Sequence, residues 1–195
     1  MTKESNNSAL GTWTTKSELE KVVTVGMHGV PEIKQGEKSA YLGEFKERIL
    51  RSLTKEQVEE AAIYTEIKQA LEDKRSAKLI LSGDLDNKNT EKYQKLARKI
   101  GKPFVVRHDQ KYKSDIGLVI ASNEAVEIED IEVEQRQEKL ARLGLSDQLI
   151  KSAGYKICSE CYDLLVSIAP EETVNYDRLN FLDRITGEKC PAHSD

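Results

Sequence analysis

The stretch "AKLILSGDLDNKNTEKYQKLARKIGKPFVVRHD", residues 77–109, decides the fold. It opens on a short apolar run, Leu79-Ile80-Leu81, which a Gly-Asp turn closes, so "AKLILSGDLD" reads as a strand. Asn89 or Thr90 can cap a helix carrying Tyr93, Leu96, Ala97 and Ile100 at helical spacing. Gly101 stops that helix, as a glycine just past the last periodic residue does. "KPFVVRHD" is then a second strand. Strand, helix and strand in succession imply a βαβ unit and an open, largely parallel sheet.

Outward from this unit the pattern continues. "DIGLVIAS" (115–122) is a third strand, and "YTEIKQALEDK" (64–74) a helix with Ile67, Ala70 and Leu71 on one face. "KERILRSLTKEQ" (46–57) is ambiguous: Phe45, Ile49 and Leu53 suit a helix, whereas Ile49, Arg51 and Leu53 permit a strand. "GMHGVPEIKQGEKSAYLGEF" (26–45) is turn-rich backbone, and residues 1–20 have the Ser/Thr/Asn-rich composition of a disordered tail. The α/β domain spans residues 21–128. An acidic run, Glu124 to Glu134, leads into a helical linker over 129–145. Residues 146–195 then read as a separate helical tail. In it Ser146 opens a short helix, "CSECYDLLVSIAP" a second that Pro170 ends, and Leu179, Leu182 and Ile185 a third.

The 195 residues are 38% apolar and 33% charged, with a net charge of −4. That charge is uneven. Residues 21–120 hold 20 basic against 15 acidic groups, while residues 121–195 hold 8 against 16. The longest apolar runs are too short to span a bilayer and no apolar signal core opens the chain, so the expectation is a cytoplasmic protein without a membrane association.

All three cysteines lie in the tail, in the pattern Cys158-x-x-Cys161 … Cys190-x-x-His193. Two pairs with two-residue gaps supply three thiolates and an imidazole, a tetrahedral set suited to structural zinc. A tail of this size, with few large apolar residues, benefits from such a staple. Iron in the same ligands, a redox Cys-x-x-Cys and three ordinary cysteines are the rival readings. Residues 88–113 carry nine basic and two acidic side chains. Lys92, Lys95, Arg98 and Lys99 are candidate RNA or phosphate contacts, Lys92, Lys95 and Lys99 being spaced to share a helix face, with Tyr93 and Tyr112 nearby. The competing reading is a solvated helix face. Asp84, His108 and Asp115 sit at strand ends, where α/β folds place pockets, so a small-metabolite enzyme is an alternative. His28 has no assignable partner. No GxGxxG, phosphate-binding loop or serine elbow is present.

Gly29, Pro31, Glu32, Glu37, Tyr41, Leu42, Gly43, Phe45, Glu47 and Arg48 fall on a pattern that resembles the YueI-like bacterial family, over roughly residues 22–127. The resemblance implies a small three-layer α/β sandwich of order β-α-β-α-β-β. Its four-stranded sheet would be mixed but mostly parallel, as in Bacillus chorismate mutase and the kink-turn RNA-binding ribosomal proteins, with "KERILRSLT" as its first strand. The resemblance carries no catalytic residues, and the Gly-x-Asn-Glu helix start of the kink-turn binders has no counterpart. The expectation is a non-enzymatic binding or regulatory protein with a structural zinc, contacting RNA or, through its tail, acting as an adaptor for a protein partner.

Overall fold

The computed structural model describes residues 35–108, 114–126 and 128–193. The tail at 1–20, His28, the motif residues Gly29 to Glu32, and Lys111, Tyr112 and Lys113 lie outside the described residues. Helix α1 (Gln35–Ala40) leads into the turn at Leu42 and Gly43, both of positive φ (51° and 87°). There Leu42 is fully buried, and the Glu44 carboxylate reaches Lys78 at 2.8 Å and Arg107 at 2.9 Å. The "YLGEF" motif thus pins this turn to two strands.

The ambiguous "KERILRSLT" resolves into a single 3-10 turn at Lys46–Arg48 and then strand β1 (Ile49–Thr54). Strand geometry lets β1 supply both faces: Leu50 and Leu53 join the core on one side, and Ile49 joins the cluster on the other. Thr54 and Gln57 form a reciprocal capping box that opens α2 (Lys55–Glu59), a device that stabilises a helix by about 1 kcal/mol. Next come α3 (Thr65–Glu72), β2 (Ser76–Ser82), α4 (Asn87–Ile100), β3 (Phe104–Arg107) and β4 (Ile116–Ser122). Helix α4 has Asp86 at its N-cap, three or four residues before the expected Asn89 or Thr90. It ends as expected, with Gly101 left-handed, Lys102 N–H on the Ala97 carbonyl (2.9 Å) and Gly101 N–H on Arg98 (3.1 Å).

The sheet order is β1-β4-β2-β3. β1 and β2 each pair antiparallel with β4, and β2 pairs parallel with β3. Three strands therefore point one way, yet only one neighbouring pair is parallel, which corrects the expected mostly parallel sheet. The connection from Arg107 to Ile116 is too short for a parallel crossover, which takes about a dozen residues or more. β4 consequently returns antiparallel and inserts between β1 and β2. Val58, Ile67, Leu71, Tyr93 and Leu96 from α2, α3 and α4 pack on Leu53, Leu79, Leu81, Leu118 and Ile120. The opposite face gathers Ile49, Ile80, Val119 and Ala121 with Leu42 and Ile131.

The acidic stretch is extended before it is helical. Ser52 N–H donates to the Ile131 carbonyl (2.7 Å), and Ser52 forms a parallel bridge with Glu132, so this strip lines the outer edge of β1. Its β-branched Ile131 and Val133 suit a half-buried strip better than a helix. Helix α5 runs Arg136–Arg142 and α6 Asp147–Lys151, the latter capped by Ser146. Then follow β5 (Lys156–Ile157), α7 (Ser159–Ile168), a 3-10 turn (Pro170–Asn175), β6 (Asp177–Arg178) and α8 (Phe181–Ile185). β5 and β6 form a two-stranded parallel ribbon within a tail expected to be helical throughout.

The tail packs against the α/β unit. Ala62 packs within the tail's apolar cluster of Leu140, Leu149, Ile150, Ile157 and Leu165. Asn175 brackets Ile63, accepting from its N–H (2.6 Å) and donating to its carbonyl (2.9 Å). Arg136, buried, donates to Glu172 (2.7 Å), the Ile150 carbonyl (3.1 Å) and the Tyr176 hydroxyl (2.9 Å). Buried charge needs such pairing to be tolerated.

Candidate metal centre

The short β5 delivers Cys158 to the N-cap of α7, and one turn later Cys161 points back to the same spot. Helical spacing of three residues makes this convergence strain-free. The second pair comes from the tight Cys190-Pro-Ala-His193 turn, in which His193 N–H donates to the Cys190 carbonyl (3.3 Å). The four ligand atoms all lie within 4.8 Å of one another. Cys161 Sγ is 3.0 Å and Cys158 Sγ 3.7 Å from His193 Nε2, while Cys190 Sγ is 4.0 Å from Cys161 Sγ. A tetrahedron with bonds of about 2.3 Å to sulfur and 2.0–2.1 Å to nitrogen has edges of about 3.5–3.8 Å. The arrangement could hold one metal ion.

The surroundings favour thiolate at one position and resist it at another. Burial opposes ionisation of Cys190, but N–H donors of Cys158 (3.3 Å) and Ala192 bring that thiol below its ordinary value. Burial and the neighbouring thiols push Cys161 up to about 12. Three sulfurs packed together without a cation cannot all ionise, and a bound cation removes that repulsion. Cys161 is buried, Cys158 and Cys190 are half-buried, and His193 is exposed. Beside this turn opens a cleft of about 350 Å³ lined by Gly154, Tyr155, Lys156, Glu188, Lys189 and Pro191. Lys156 ties α8 to the same turn through Asp183 (2.6 Å) and Glu188 (3.5 Å). On α8, Phe181, Leu182 and Ile185 are 76%, 69% and 66% exposed.

The four basic candidates do not form one free row. Lys92 turns inward and donates to the Glu60 carbonyl, and burial lowers it to about 8. Lys95 pairs with Glu91 (3.0 Å), and Arg98 lies over the Phe104 ring, 5.0 Å from its centroid. Lys99 is exposed. Spacing identified a shared helix side, not which part of it faces water.

At the strand ends, Asp84 is ion-paired with Lys55 (2.8 Å), which lowers its pKa, and its side chain is 62% exposed. A Cβ on Gly83 would come within 2.3 Å of His108 Nδ1, so the His108 ring occupies the space beside that glycine. Asp115 is exposed and offers its backbone carbonyl to Lys55 N–H (2.7 Å). Among the described residues no helix is long and apolar enough to cross a membrane.

Fold and site together define a small mixed α/β protein that carries a Cys3His-bearing extension. The chain belongs to the family described as Protein of unknown function (DUF1694), whose model matches residues 16–132. It is 32% identical over 109 residues to "Uncharacterized protein YueI" of Bacillus subtilis (strain 168), an alignment covering 56% of this chain and 83% of that one. The crystal structure of the YueI protein from Bacillus subtilis matches with a TM-score of 0.51 at 29% identity, over 62% of this chain and 94% of that one. The four candidate ligands all lie beyond the segment that the family model matches.

Proposed function

We propose that the chain is a cytoplasmic, non-enzymatic binding or regulatory protein, a YueI-like α/β unit whose tail is held by a structural zinc ion on Cys158, Cys161, Cys190 and His193. The observation that carries this is the convergence of four ligand atoms from two separate turns to within 4.8 Å. Four protein ligands leave no open coordination position, so the ion serves the fold and not a reaction. It cross-links the start of α7 to the turn after α8, and so fixes β5, β6 and α8 relative to one another. The element order supports a likeness in shape to Bacillus chorismate mutase, without its chemistry. At the strand ends, Asp84 spends its carboxylate on an exposed pair with Lys55, an arrangement that supports a structural role over a catalytic one.

The exposed Phe181, Leu182 and Ile185 favour a protein surface as the tail's partner. Phosphate contact by α4 rests on Lys95, Arg98 and Lys99, with Lys92 withdrawn. Hydrogen exchange over residues 156–193, with and without a zinc chelator, tests the proposal. Loss of protection at Cys161 to Leu165 and at 188–193 on chelation is expected. Unchanged protection in zinc-free protein overturns the staple.

A further inference from the structure

The sheet has two edges, and the chain treats them differently. Along β1 lies its own extended strip, joined by the Ser52–Ile131 hydrogen bond and the Ser52–Glu132 bridge. That strip is acidic: Glu129, Asp130, Glu132 and Glu134 punctuate Ile128, Ile131 and Val133. Strand β3 stands at the other edge, with β2 as its partner among the described residues. Val105, on this strand, is 44% exposed.

Leu79 N–H donates to the Pro103 carbonyl (3.0 Å), and Gly83 N–H to that of Arg107 (2.7 Å). In a parallel pair, alternate residues bond to the same neighbour, so Pro103, Val105 and Arg107 serve β2. The backbone N–H and C=O groups of Phe104 and Val106 are directed outward. Such a row is a template for one more strand.

The charge around β3 selects what that strand carries. Arg98 and Lys99, in the last turn of α4, are exposed and basic, while Lys102 turns its ammonium to the Asp73 and Ser76 carbonyls (3.3 and 2.5 Å) and Asp109 follows the strand in sequence. Arg107 is itself paired with Glu44 (2.9 Å), which Lys78 also reaches (2.8 Å), so the charge that faces a partner is that of α4's last turn. We infer that the β3 edge accepts an extended, acidic segment of a partner protein by strand addition, the counterpart in trans of what residues 129–134 do at β1 in cis. Main-chain bonds to Phe104 and Val106 supply the register, and carboxylates at alternate positions meet the basic rim.

The test uses the full chain and a fluorescent peptide of sequence EIEDIEVEQ, which reproduces residues 127–135. Binding at roughly 50 mM salt that weakens as salt screens the rim is expected. Val106→Pro removes an outward N–H without touching the β2 ladder, a placement that edge strands tolerate, and is expected to weaken binding about tenfold. Lys99→Glu, at an exposed position, is a second variant that leaves folding intact and is expected to weaken it several-fold. N-methylation of alternate peptide residues is expected to abolish binding without altering the protein. Binding that survives both substitutions, a scrambled peptide that binds equally, or dimerisation of the chain through β3 overturns the inference. So does a single-stranded RNA oligonucleotide that binds through Lys99 where the peptide does not.

Discussion

Replacing Arg136 by methionine should destabilise the protein far beyond an ordinary surface change, and the structure sets the size. Arg136 and Glu172 are 4% and 1% exposed, and the guanidinium donates to Glu172, Ile150 and Tyr176 at 2.7–3.1 Å. Methionine keeps much of the stem but strands the carboxylate. Removing one partner of a buried pair costs about 3–5 kcal/mol, because the other charge stays buried. Asn175 still donates to Glu172 at 3.0 Å, and the Tyr176 hydroxyl still donates to the Leu149 carbonyl at 2.9 Å. The expected loss therefore lies at the lower end, about 3 kcal/mol. Adding Glu172→Gln removes the stranded charge while leaving Asn175 an acceptor. The double variant should recover part of the loss, a coupling of about 1–3 kcal/mol. Urea unfolding of the zinc-loaded full chain measures both quantities from midpoints at constant slope. A loss below about 1 kcal/mol, or additive single effects, would refute the view that this buried pair holds α5 to the turn at Pro170–Asn175.

A Cβ on Gly117 would lie 2.9 Å from the Lys55 Cα and 3.1 Å from the Thr54 carbonyl, both backbone atoms. Gly117→Ala should cost about 1–3 kcal/mol in thermal or urea unfolding. Lys92 has a folded-state pKa of about 8 against an ordinary 10.5, so between those values the unfolded chain binds more protons. Its contribution to stability therefore rises with pH across that window, and an NMR titration of its ε-methylene should show a midpoint near 8. Hydrogen bonds from Arg75 hold Asp73 at about 2. This contribution is present above the ordinary carboxylate pKa and lost as pH falls through about 2, and Arg75→Ala should return the Asp73 midpoint towards 3.8.

Local order was legible where neighbouring residues decide it. The β2–α4–β3 unit could be read because apolar runs, a helical period and Gly101 follow one another within a single stretch. The insertion of β4 between β1 and β2 depends on pairings such as Ile80 with Val119, which no local period encodes. The strip at 129–134 read as a helix lead-in because its acidic residues mask the strand-like Ile131 and Val133, whose edge partner is 79 residues away. β5 and β6, two residues each, are too short to show any period. The docking of the tail was hidden for the same reason: Asn175 and Ile63 are 112 residues apart. The Cys3His cluster was legible because cysteine and histidine are sparse in this chain, and a two-residue gap has direct geometric meaning. Exposure has no such mark in sequence, which is why Lys92 was grouped with its outward neighbours.

Cys158, Cys161, Cys190 and His193 are proposed to hold one zinc ion. Elemental analysis of the full chain, purified without chelator from zinc-replete cells, tests it most directly. One zinc per chain is expected, with X-ray absorption showing three sulfurs at about 2.3 Å and one nitrogen at about 2.0–2.1 Å, and loss of the metal from Cys190→Ser. Stoichiometric iron in its place, or folded wild-type protein free of metal with three titratable thiols, would contradict it.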